Sequence, residues 1–93
     1  MKFTASRFSK GNRLFPTEIL IEKSGLTVRI PGIFNSKSEY MEYSYISNVS
    51  VSTPLIGYST ITFYTSGSQV EAHGFTKRKV VEIQAAIEKG KRQ

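Results

Sequence analysis

Ninety-three residues with 39% hydrophobic and 12% aromatic content make one domain with one core and no second lobe. No apolar run approaches the roughly 18 residues of a membrane-spanning helix, and with no cysteine there is neither a disulfide framework nor a thiolate metal site. The net charge of +6 is unevenly placed, and its placement says more than its size.

Residues 1–13 carry Lys2, Arg7, Lys10 and Arg13 with no acid, a charge of +4. This stretch is aperiodic apart from Phe3 and Phe8. It reads as a basic N-terminal arm that forms one strand if Phe3 or Phe8 finds something to bury. It has no continuous apolar centre, so it does not read as a secretory signal, and the expected location is cytoplasmic. Residues 14–75 carry Lys23, Arg29 and Lys37 against Glu18, Glu22, Glu39, Glu42 and Glu71, for −2, and residues 76–93 return to +4. Basic ends around a mildly acidic middle suit either solvated tails or a surface for a polyanion.

The ordered domain is expected over residues 14–90, with 91–93 as a basic tail. Pro16 precedes a first strand over Thr17 to Lys23, centred on Ile19, Leu20 and Ile21. Ser24-Gly25 reads as a two-residue hairpin turn with glycine at positive φ. Leu26, Val28 and Ile30 then alternate with Thr27 and Arg29, the pattern of a half-buried strand. Pro31-Gly32 breaks it, and Asn35 to Ser38 is turn chemistry. The next extended piece, Glu39 to Tyr45, is expected to place Met41, Tyr43 and Tyr45 on one face and Tyr40, Glu42 and Ser44 on the other. Glu39 and Glu42 therefore face opposite sides.

Ile46 to Ser52 continues extended, with Val49 and Val51 in phase. Pro54 and Gly57 mark a break around Leu55-Ile56. A hairpin follows, with Ile61 and Phe63 facing one way, Ser66-Gly67-Ser68 turning, and Val70 and Ala72 inward. Tyr40, Tyr58 and Tyr64 are left for sheet faces or edges.

The last segment, 76–89, is the only helix. Thr76 is the N-cap, Phe75 and Val80 make a hydrophobic staple, and Gly90 is the expected left-handed residue after the last turn. Val80, Ile83 and Ile87 lie within about 60° on a helical wheel and Ala86 widens the stripe, so the helix needs an apolar surface beneath it. About seven short strands followed by one amphipathic helix predict a mainly β fold: a partly open barrel with the helix over one opening.

Three stretches carry a resemblance that covers roughly residues 14–90. Tyr43-Ser44-Tyr45-Ile46-Ser47-Asn48-Val49 is similar to the Y-x-x-I-x-x-V step of bacterial pleckstrin-homology (PH) domains. Gly57-Tyr58-Ser59-Thr60-Ile61 with the later Gly74-Phe75 resembles the second half of that family, and Leu26 to Phe34 resembles its second strand. The resemblance implies two nearly orthogonal antiparallel sheets of seven strands, a capping C-terminal helix, and use as a binding platform. Many PH domains hold phosphoinositides through basic residues around a long first hairpin loop. Here that loop is Ser24-Gly25, flanked by Lys23 alone, and Arg29 stands by itself on the next strand, so a phosphoinositide is not the expected ligand.

No catalytic set is expected. His73 is the single histidine, placed with Gln69 and Glu71 on the solvent side of the last strand, and the chain contains no aspartate. No spacing suits a metal, and no cofactor is implied. One cluster stands out: Lys77, Arg78 and Lys79 occupy the first helical turn, where the helix dipole disfavours cations. They read either as solvated bases or, with His73, as an anion site at the helix start. Two functions follow. The first is a PH-like module that binds a protein partner or forms a homo-oligomer. The alternative is a basic adaptor for nucleic acid or anionic lipid.

Overall fold

The two-residue alternation of the sequence folds into two antiparallel sheets, and the computed structural model describes residues 1–6, 16–32 and 36–92. The first sheet holds β1 (Lys2–Thr4), β2 (Glu18–Ile21), β3 (Gly25–Ile30) and β4 (Lys37–Glu42) in that order. The second holds β5 (Ile46–Ser52), β6 (Ser59–Thr65) and β7 (Ser68–Phe75), followed by helix α1 (Lys77–Lys91). The sheets do not close into a barrel, because β4 and β7 each end their sheet without pairing to one another. This is the mainly β, partly open fold with one C-terminal helix that the sequence predicts. Phe8, Arg7, Lys10, Arg13, Asn35 and Gln93 lie outside the described residues.

Register explains the core. Residues opposite one another in antiparallel strands face the same side, so Phe3, Ile19, Val28 and Glu39 form one row across the first sheet. Ile21, Leu26 and Met41 form the next. The second sheet contributes the rows Val49–Phe63–Val70 and Val51–Ile61–Ala72. Val80, Ile83 and Ile87 of α1 are buried in the same cluster as Ile19, Leu26, Ile61, Phe63 and Phe75. The stripe read from the wheel is therefore the face that seals the sheets. Thr76 caps the helix, its hydroxyl accepting from the Lys79 amide at 3.3 Å.

Several local expectations change in three dimensions. The expected arm supplies a strand at its start, where Phe3 is buried against β2. The first interior strand is shorter than expected, since Glu22 to Ser24 form the connection and the Glu22 amide donates to the Gly25 carbonyl at 2.9 Å. Gly25 is not the positive-φ turn residue; it opens β3. A Cβ there would meet the Met41 carbonyl and lie 2.7 Å from the Tyr40 hydroxyl, so glycine is required by space. Tyr45 does not share a face with Met41 and Tyr43. A 3-10 turn over Tyr43–Tyr45 interrupts the period of two, buries Tyr43 and leaves Tyr45 68% exposed.

Gly90 is not a left-handed cap either. The helix runs through it to Lys91, and its φ is not positive. Its Cα packs on the Tyr43 ring so closely that a Cβ would lie 2.7 Å from two ring carbons. The helix continues because its last turn rests on the tyrosine.

Candidate functional site

The three bases at the start of α1 are placed differently. Lys77 and Arg78 are exposed, whereas Lys79 is half-buried and its ammonium donates to the Thr4 carbonyl at 2.8 Å. Lys79 thus ties the helix to β1, and Lys77 and Arg78 are the exposed bases of that turn. His73 sits on the outer face of β7, its Nδ1 2.7 Å from the Thr60 hydroxyl across the β6–β7 pair. Arg29 is also engaged: Glu18 lies 3.4 Å from both Arg29 and Lys2. That acid spans three strands and reduces the appeal of Arg29 to a phosphate. Among the described residues no group of His, Asp or Glu has the arrangement of a metal site, and no helix is long and apolar enough to cross a membrane.

The larger feature lies where the sheets part. β4 and β7 run past one another without pairing, and two clefts of about 410 and 430 Å³ follow the seam between them. Their apolar lining comes from Met41, Val28, Ile30 and Val70. Tyr40 and Tyr45, both largely exposed, stand at one end beside the Ser66-Gly67 turn. Glu39, Glu42 and Glu71 line the seam against one cation, Lys37.

Glu39 is the informative residue. It is half-buried on the core-facing row that begins with Phe3, so a carboxylate ends an otherwise apolar row at the point where the sheet is open. Bringing β7 against β4 would draw that charge out of water, which costs several kcal/mol unless it is paired. An inward-pointing charge is also a known guard against indiscriminate pairing at a sheet edge. Its position was readable, since Glu39 is two residues before Met41 on one strand; its place at an open seam was not.

A third cleft, of about 530 Å³, lies at the far end of α1 and is lined by Tyr43, Ser24, Ser44, Lys23 and Lys91. The Tyr43 hydroxyl closes its base, donating to the Glu22 carbonyl at 2.6 Å. Burial, together with nearby Tyr40 and Glu22, raises this phenol above its ordinary value of 10.0. The helix C-terminus carries the negative end of the dipole, which works against an anion here. Neither Thr60 nor His73 lines any of the three clefts.

Compared with family models, curated proteins and solved structures, the chain matches none.

Proposed function

We propose that this chain is a PH-like, non-catalytic binding module that takes an extended segment of a protein into the seam between β4 and β7. The observation that carries the reading is that β4 and β7, each the last strand of its sheet among the described residues, flank clefts with Met41, Val28, Ile30 and Val70 in their lining. Free N–H and C=O groups on such an edge are satisfied by strand addition, and pockets for alternate side chains select the sequence that binds. Glu39, Glu42 and Glu71 favour a segment in which Lys or Arg alternates with apolar residues. The proposed setting is the cytoplasm, consistent with a chain that has no cysteine to oxidise. The alternative, a polyanion held by the basic ends, is left with Lys77 and Arg78 at the helix start once Lys79 is bound to Thr4.

Titration of the labelled chain with a Lys/Val-alternating peptide, followed by amide NMR, tests this. Expected shifts fall on Lys37–Glu42 and Ser68–Ala72, with new protection from hydrogen exchange along the edge that receives the strand. A duplex DNA that binds tightly at physiological salt and shifts Lys77 and Arg78 instead would sink it. Such binding would weaken steeply with salt, by about −0.9 in log K per log salt for each phosphate contacted.

A further inference from the structure

The two ends of the second sheet carry opposite features. At one end the loop between β5 and β6 presents Leu55 and Ile56, 98% and 92% exposed. They are adjacent, so one tip offers both side chains to a single partner. β6 begins at Ser59 opposite Phe75, next to the Thr76 cap, so exposed Lys77 and Arg78 stand at this same end. Hydrogen bonds hold the corner together, among them the Ser6 amide donating to the Gly74 carbonyl at 2.8 Å and the Ser6 hydroxyl to the Tyr58 hydroxyl oxygen at 3.1 Å. The loop 53–58 contains no acid. This end is therefore an apolar tip beside cations.

The other end holds the Ser66-Gly67 turn and the cleft beside it, with Met41 and Val70 and also Glu39 and Glu42 in its lining. It is an apolar cleft with carboxylates. β6 is seven residues long, and at about 3.3 Å per residue it keeps tip and cleft roughly 20 Å apart. One chain cannot insert its own tip.

We propose that the chain self-associates head to tail, with Leu55 and Ile56 of one copy filling the β4–β7 cleft of the next and Lys77 and Arg78 facing Glu39 and Glu42. This rests on the seam being a binding groove and names a second copy as its occupant. Charge selects that occupant: a second copy satisfies the basic apolar end and the acidic apolar end with a single contact, whereas an anionic bilayer would satisfy only the first. The contact uses two different surfaces, so it repeats into rings or filaments.

The test uses the whole chain and two variants altered only at exposed positions, each checked for its fold by circular dichroism. The head variant is Leu55→Asp with Ile56→Asp. The tail variant is Glu42→Lys with Tyr45→Lys. By sedimentation across a dilution series, the parent should grow in mass with concentration. Each variant alone should associate at least about tenfold more weakly, the scale of one lost aliphatic contact. Mixed in equal amounts they should form a dimer and stop, since one intact head meets one intact tail. A parent that stays monomeric at every concentration overturns the proposal, as do mixed variants that fail to dimerise while the parent associates. Flotation with phosphatidylserine vesicles separates the remaining possibility: a monomeric parent that binds them through Leu55 and Ile56 makes the tip a membrane contact. Peptide titration of the head variant keeps the two readings apart. Retained shifts along β4 and β7 would leave the groove standing even if self-association failed.

Discussion

Two corners of the molecule, built from the same sheets, end in opposite ways. At the corner joining β1 to the end of β7, the Ser6 amide bonds to Gly74, the Lys79 ammonium bonds to Thr4, and Phe3 is buried. At the corner between β4 and β7 the strands part around two clefts. A single row of side chains, Phe3–Ile19–Val28–Glu39, connects these outcomes. It begins with a phenyl ring, whose burial contributes about 1.5–3 kcal/mol, and ends with a carboxylate, whose unpaired burial costs more than that. In this row the charged residue is the one at the open corner.

The comparison breaks most readily at the closed side. Ile83 is fully buried beneath α1, where truncation alone costs about 2–5 kcal/mol and a buried charge adds to it. Ile83→Asp is expected to unfold the chain at ordinary temperature, seen as loss of the cooperative thermal transition. A melt matching the parent would mean that the helix does not close the core.

Gly90→Ala tests the helix end. Helix propensity alone favours alanine by about 1 kcal/mol, but the new Cβ enters the Tyr43 ring, and overpacking costs about 1–3 kcal/mol. The expected result in urea is a net loss, opposite in sign to propensity. A gain in stability would show that Tyr43 yields freely.

Tyr43→Phe removes the hydrogen bond to Glu22 and should cost about 0.5–1.5 kcal/mol at neutral pH. Because burial and its neighbours raise the folded phenol above 10.0, the unfolded chain loses this proton first. The contribution is full below pH 10.0, the ordinary value, and is lost as pH rises through the folded value. Urea melts in alkaline buffer should therefore fall less steeply with pH for the phenylalanine variant; parallel curves would contradict the assignment.

The smallest effect is expected at the open corner. Glu39→Gln should change stability by less than about 0.5 kcal/mol, since the seam takes little part in holding the fold. The same variant should bind a basic extended peptide more weakly and with less dependence on salt. A large loss in the melt would place Glu39 in the core network and not at a guarded edge.

Much of this fold follows from spacing along the chain. The alternation Leu26–Val28–Ile30, the Ser66-Gly67 turn, the Thr76 cap and the Val80–Ile83–Ile87 stripe each depend on neighbours within a few residues, and each stands where the pattern places it. Three readings changed in the folded chain, at Tyr45, Gly25 and Gly90. Tyr45 left the core face because the chain turns through a 3-10 segment there to pass from one sheet to the other. Gly25 and Gly90 looked like conformational signals and proved to be points of contact with Tyr40, Met41 and Tyr43. Lys79, one of the candidate anion residues, donates to a carbonyl 75 residues away in sequence, a contact no local pattern shows.

The sequence by itself determined the strands, the helix, its cap and its buried stripe, because those are set by local hydrogen bonding and by which side chains share a face. Only the tertiary structure decided which edges pair, that Glu39 ends its row at an open seam, and that Leu55 and Ile56 stand free at the opposite end of the second sheet. Those outcomes depend on contacts between residues far apart in the chain, and on the free energy of burying or exposing each group once the sheets have met.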